Sequence, residues 1–262
     1  MTAQTTQTRG PLFLINTLVG SRHCHYGFQV DTFTDGCTHD CVYCFAKEEG
    51  ERVQKWNNPR PQPVDIDAIR HIFETVFETD QKSPWRQILE RRTPLRIGGH
   101  SDCFIKSEKK AGVTLALLKL LVNYRYPHVI VTRSALAATE TYLAAMDPEL
   151  TVLQLSIPSM NPVLSKALEP GAPTPAQRIE TVRRLSDAGL VVGIRCNPLF
   201  PNYPDGHYSG PDRPDGPNGD VPRFDYFSEE LIDAVADAGA QTFLVGFVHL
   251  SSVAMAGVQL SL

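Results

Sequence analysis

The chain predicts an α/β fold, a partial barrel of six βα units. Six apolar runs of strand type recur along its 262 residues, and helical patterns fill most of the gaps between them. Repeated βα units demand a parallel sheet with right-handed crossovers. Six units are too few to close the eight-stranded barrel, so an open partial barrel is expected. A doubly wound open sheet is the alternative, although no GxGxxG follows the first strand. In both arrangements the ligand sits at the C-terminal ends of the strands.

The expected strands are 27–33, 95–99, 128–133, 151–157, 191–197 and 241–250. The first helix, 65–78, carries Ile66, Ile69, Ile72, Phe73 and Val76 at helical spacing. Segment 108–124 is strongly amphipathic, and 135–146 follows the third strand. Helix 174–190 stops at Asp187-Ala188-Gly189, and helix 228–239 has Ser228 in position to cap its start. The whole of 1–262 reads as one domain, with 1–25 as an N-terminal extension. Residues 200–226 are dense in Pro, Gly and Asp, which suit neither a helix interior nor a central strand. Leaving from the end of the fifth strand, that segment reads as a lid or as an inert insert.

Hydrophobic residues make up 42% and charged residues 21%, as in ordinary globular proteins. No apolar run approaches the roughly 20 residues needed to span a bilayer. The opening lacks a positive stretch followed by a long apolar run, so a cytoplasmic location without membrane association is expected. A monomer is expected as well. The net charge of −4 gives no support to a protein that coats DNA. The charge is uneven: residues 51–130 hold 14 Lys and Arg against 9 Asp and Glu, and residues 201–240 hold 2 against 9. A polyanion would prefer the first region.

Six cysteines occur, at 24, 37, 41, 44, 103 and 196. Cys37, Cys41 and Cys44 follow the first strand within DGCTHDCVYCFAKE, spaced C-x3-C-x2-C. Clustering in a chain of this size fits metal binding better than disulfides. Three thiolates so close together suit one 4Fe–4S cube and leave one iron open to an external ligand. S-adenosylmethionine (SAM) is such a ligand, through its amino and carboxylate groups. Zinc is the competing reading, with His39 as a fourth ligand.

The spacing and its place after the first strand resemble the radical SAM superfamily. More narrowly the chain resembles its spore photoproduct lyase-like branch. The resemblance rests on GCTHDCVYCFA (36–46), GGHSD (98–102), VTRS (131–134), LSI (155–157) and LEPGAPTPAQRIETVRRLSDAGLVVGIRCNPLFP (168–201), and it covers roughly residues 27–200. It implies a partial (βα)6 barrel, a 4Fe–4S cluster, SAM, and a reductant such as flavodoxin or ferredoxin. It implies reductive cleavage of SAM to a 5′-deoxyadenosyl radical that takes hydrogen from an organic substrate. It places Tyr43 near the adenine. Gly98, Gly99, Ser101 and Asp102 fall by the methionine and ribose, Arg133 by the SAM carboxylate where the branch has lysine, and Ser156 at a further SAM contact.

Two departures stand out. The lyase has a hydrogen-donating cysteine near the end of its second strand; Gly99 or His100 falls there, with Cys103 a few residues on as the candidate donor. The lyase also has a relay tyrosine just after its third cysteine, where this chain has Phe45. These departures point away from photoproduct repair and toward isomerisation or modification of a thymine-derived or other nucleic-acid base, as in bacteriophage DNA modification. A small or single-stranded substrate is favoured, because no extra domain is evident for flipping a base out of duplex DNA. The basic stretch 85–96, with Arg86, Arg91, Arg92 and Arg96, reads either as a phosphate contact or as a solvated helix end. Lyase-type repair and an iron–sulfur or zinc-binding module without catalysis are the other readings.

Overall fold

The computed structural model describes residues 12–14, 27–47, 60–199 and 229–247. The expected lid at 200–226, the Ser228 cap and most of the N-terminal extension lie outside the described residues. Among them no helix is long and apolar enough to cross a membrane.

Strands β1 (Leu12–Leu14), β2 (Phe28–Val30), β5 (Leu95–Ile97), β6 (His128–Thr132), β7 (Thr151–Ser156), β8 (Val191–Leu199) and β9 (Thr242–Phe247) form one sheet in that order. From β2 to β9 every pairing is parallel, with neighbours in sequence also neighbours in space. A doubly wound sheet would reverse direction at a switch point. The unbroken order belongs instead to the partial (βα)6 barrel. The N-terminal extension contributes β1, which pairs antiparallel with β2. A two-residue pair, β3 (Phe33–Thr34) with β4 (Gln62–Pro63), stands beside the sheet.

Alternation along the strands separates two environments. Leu95, Ile97, Ile130, Leu153, Leu155, Val192 and Ile194 are buried in one continuous core. They pack there on Ile69 and Phe73 of α1 (Ile66–Phe77), and on Leu117 and Leu121 of α4 (Val113–Asn123). Val182 and Leu185 of α7 (Pro175–Asp187) complete that layer. Each such side chain contributes about 1.5–3 kcal/mol on burial. The alternate row is half-buried and mixed, with the polar Arg96, Gln154 and Arg195 beside Val129, Val131 and Val152.

Local chemistry sets the helix ends. Asp65 accepts from the N–H groups of Asp67 and Ala68 and starts α1. Thr174 and Gln177 form a reciprocal capping box, with Pro175 at the first helical position of α7. Two expected helices are broken. Segment 108–124 divides into α3 (Glu108–Ala111) and α4, because Gly112 turns left-handed at φ 64° and the buried Glu108 carboxylate accepts from Thr114 and Leu115. Segment 135–146 is a 3₁₀ turn, Ala135–Ala138, followed by α5 (Glu140–Leu143), because Thr139 between them is extended. Two short helices were not expected: α2 (Arg86–Glu90) and α6 (Pro162–Leu168). In the basic stretch 85–96, Arg86 donates to the carbonyls of Thr75, Val76, Thr79 and Gln81. Arg92 donates to Tyr124 O and lies over the Phe77 ring. These two arginines bind carbonyls at helix ends.

Candidate active site

A cavity of about 250 Å³ opens at the C-terminal ends of the parallel strands. The loop after β2 lines it with Cys41, Tyr43, Cys44 and Phe45, and the turn after β5 with Gly98 to Asp102. The end of β6 adds Thr132 and Arg133, β7 adds Ser156, and β8 adds Arg195 and Asn197.

The cysteine loop is held by the turn after α6. Val42 N–H donates to Leu168 O at 2.9 Å, and Gly171 N–H donates to His39 O at 2.9 Å. A Cβ at Gly171 would stand 2.0 Å from Thr38 O, so only glycine lets the two segments approach. Cys41 is buried, while Cys37 and Cys44 are half-buried, and all three are free thiols. Cys37 packs against the small cluster of Phe33, Ile105 and Val113. Burial pushes the Cys37 thiol up to about 11, with the Asp102 charge adding to the shift, and raises Cys41 as well. Thiols so desolvated ionise when a metal centre supplies positive charge, which fits a thiolate-held cluster. His39 does not fit as a fourth zinc ligand. Its Nδ1 lies 3.3 Å from Gly171 O and its Nε2 lies 3.2 Å from Asp102 Oδ2, so both ring nitrogens face oxygens of the chain.

Behind the cavity wall sits a buried charged lattice centred on Glu169, whose side chain is wholly buried. Arg133 Nε lies 3.1 Å from Glu169 Oε1, Arg178 closes on Glu169 Oε2, and the Tyr43 hydroxyl donates to Oε1. Arg178 also donates to Pro173 O at 2.9 Å and Ser156 O at 3.0 Å. Burial opposes the Glu169 charge, yet Arg133 and Arg178 hold its carboxyl below the ordinary carboxylate range. Burial, together with the Glu169 charge, raises the Tyr43 phenol, which therefore stays a donor. The terminal nitrogens of Arg133 make no hydrogen bond to the described residues, and the side chain lines the cavity.

Asp102 is a second organiser. It accepts from Phe104 N at 2.8 Å, from the Thr132 hydroxyl at 2.8 Å and from Arg133 N at 2.8 Å, besides its pair with His39. Burial opposes its charge, but His39 and the Arg133 N–H hold the carboxyl down at about 2. The expectation that Asp102 meets the cofactor thus sits beside a residue whose oxygens are already engaged with the chain. Ser101 likewise spends its hydroxyl on Phe33 O at 2.6 Å. Gly98 has φ 84°, and a Cβ there would stand 2.4 Å from Val131 O. Asp31 accepts from Gly99 N at 2.7 Å and His100 N at 2.8 Å, which fixes the glycine turn.

Tyr43, Gly98, Gly99, Ser101, Asp102, Arg133 and Ser156 all meet at the cavity, together with Cys41 and Cys44. Cys103 does not. It is fully buried in the main core, its thiol is raised by burial, and it lies off the cavity wall. Cys196 is buried in the same core, as its strand position suggested. Glu169, Arg178, Asp31 and Arg195 are site residues that the sequence alone did not assign, and His39, read there only as a candidate zinc ligand, pairs with Asp102. For Glu169 a signal existed: a charged residue just before Pro170-Gly171, at the C-terminal end of α6.

Comparison with known proteins follows the same lines. The family model described as "Radical SAM superfamily" matches residues 32–208. An uncharacterized protein, ORF301 of Acidianus two-tailed virus, is 25% identical over 178 residues, 64% of this chain and 55% of its own length. The uncharacterized protein Rv2578c of Mycobacterium tuberculosis is 24% identical over 172 residues, 65% of this chain and 49% of its own. The chain spans about half the length of these curated relatives. Among solved structures, a spore photoproduct lyase mutant with bound AdoMet and dinucleoside spore photoproduct matches with a TM-score of 0.59 at 17% identity, covering 95% of this chain and 64% of the lyase. The radical SAM methyltransferase TsrM from Kitasatospora setae matches with a TM-score of 0.51 at 14% identity, covering 87% and 37%. Likeness at these identities is likeness of fold.

Proposed function

Because the chain belongs to the radical SAM superfamily, whose cofactors are a 4Fe–4S cluster and SAM, we propose that it takes hydrogen from a thymine-derived or other nucleic-acid base to isomerise or modify it. One observation carries this reading: a single cavity gathers Cys41, Cys44, Gly98, Arg133 and Ser156 from the cysteine loop and three strand ends. When bound, the cofactor pair supplies a 5′-deoxyadenosyl radical through one-electron cleavage of SAM.

In this reading Cys37, Cys41 and Cys44 hold the cluster and leave one iron for SAM. Arg133, oriented through Nε by Glu169, offers its terminal nitrogens to the SAM carboxylate in bidentate form. Gly98 and Gly99 allow close backbone approach, and Ser156 offers a hydroxyl at the cavity wall. The Tyr43 ring borders the adenine while its hydroxyl is anchored on Glu169. Arg195 and Asn197, on the far wall, meet the substrate. A cytoplasmic reductant supplies the electron.

The nucleobase class is supported by the fold shared with a lyase solved with a dinucleoside photoproduct. Isomerisation or modification, rather than photoproduct repair, is supported by Phe45, which carries no hydroxyl and is 55% exposed, and by Cys103 lying off the cavity wall. The test is deuterium transfer from labelled thymidine derivatives into 5′-deoxyadenosine, with the dinucleoside photoproduct run in parallel. Label from a thymidine derivative without thymine release from the photoproduct supports the reading. Thymine release would replace it with repair, and absence of label from every nucleoside would remove the nucleobase.

A further inference from the structure

The cysteine loop is a thin wall with a second face. Cys41 and Cys44 line the active-site cavity on one side. On the other side His39 and Gly171 line a separate open groove of about 540 Å³. Its rim carries Lys106, Lys109 and Lys166, all exposed, and among the described residues no Asp or Glu lines it. Its floor is largely apolar, with Phe104, Leu136 and Pro173. In a chain of net charge −4, a groove bounded among the described residues by three lysines and no acid is a local reversal of sign. The rim is tied to the loop itself: Lys106 N–H donates to Thr38 Oγ1 at 3.3 Å, and Lys166 Nζ donates to Pro170 O at 2.7 Å.

We propose that this groove is the docking surface for a small acidic one-electron carrier of the flavodoxin type, and the inference rests on the radical SAM reading above. The carrier must bring its redox group close to the cysteine loop without blocking the cavity where SAM and substrate sit, and the groove is the face of the loop that meets both demands. An apolar floor with a charged rim is the make-up of small, transient interfaces, in which charge steers encounter more than it adds affinity. In each docking one electron leaves the reduced carrier and enters the cluster, so the carrier is oxidised by one electron and the cluster reduced by one. No proton or group is transferred.

The test compares wild-type protein with K106E/K109E/K166E and with K106E/K109E, which keeps the Lys166–Pro170 bond. Affinity for oxidised flavodoxin is measured by calorimetry across a salt series, and 5′-deoxyadenosine is followed separately with reduced flavodoxin and with dithionite. The expected result is a loss of affinity of about tenfold or more at low salt, a flattened salt dependence, and a matching loss of flavodoxin-driven turnover, while dithionite-driven turnover stays at wild-type level. Unchanged flavodoxin affinity in both variants would overturn the docking site. Wild-type protein that cleaves no SAM with dithionite would instead overturn the radical SAM reading, and the calorimetry would still decide the groove.

Discussion

The two walls of the cavity are built differently. On the wall formed by the cysteine loop, the β5 turn and the end of β6, nearly every charge meets a partner within the chain. Glu169 takes Arg133, Arg178 and Tyr43, while Asp102 takes His39, Thr132 and two backbone N–H groups. On the β8 wall, Arg195 donates only to the neutral Gln154 amide at 2.9 Å among the described residues, and Asn197 is exposed. A wall whose charges are balanced internally is preorganised and serves a constant ligand. A wall that leaves a guanidinium without a carboxylate partner can offer it to an acceptor on a ligand. In the proposed reading the first wall handles the cofactor and the second meets the substrate.

The sharpest way to break this contrast is at Glu169. Replacing it with Ala strands the buried Arg178 guanidinium and releases Arg133, a loss of about 3–5 kcal/mol of stability, read from urea unfolding. Glu169→Gln keeps the shape and should fold, yet weaken SAM binding by about tenfold or more because Arg133 loses its charged anchor. Wild-type SAM affinity in Glu169→Gln would dissolve the link between lattice and cofactor.

Next in size is the acid response. The Asp102 carboxyl sits at about 2 against an ordinary 3.8. A depressed folded-state value stabilises fully above the ordinary value and is lost as pH falls from about 4 toward 2. The contribution is about 2 kcal/mol at neutral pH, so Asp102→Asn should lower stability at pH 7 by that order and flatten the loss between pH 4 and 2. An unfolding midpoint with the same acid slope in both proteins would show that Asp102 is not the organiser.

On the open wall, Arg195→Gln should leave substrate-free cleavage of SAM near wild type while label transfer from substrate falls about tenfold or more. Parallel loss of both would merge the two walls into one function. The smallest effect is expected at Cys103. Cys103→Ala should cost about 1 kcal/mol of stability and leave product yield unchanged, as befits a core thiol. A fall in yield at wild-type SAM cleavage would restore Cys103 as a hydrogen donor.

The barrel and the cysteine loop were legible because both follow from periodicity and spacing that local sequence carries. The strand order needed only the repetition of βα units, and the three thiols needed only their separation. What escaped was non-local or stereochemical. Glu169 meets Arg178 nine residues on, Arg133 36 residues back and Tyr43 126 residues back, and no period links them. Asp102 was expected at the cofactor from its type and place and does line the cavity, but only the fold reveals that His39 and the β6 end also hold its oxygens. Gly112 broke a helix whose apolar pattern runs straight through it, because the buried Glu108 carboxylate caps the second half.

The most direct test of the account is anaerobic reconstitution of the protein and of Cys41→Ala, followed by SAM and dithionite. The account predicts a brown wild-type protein with one four-iron cluster per chain that releases 5′-deoxyadenosine, and a variant that does neither. A colourless wild-type protein holding one zinc ion and releasing no 5′-deoxyadenosine would contradict it.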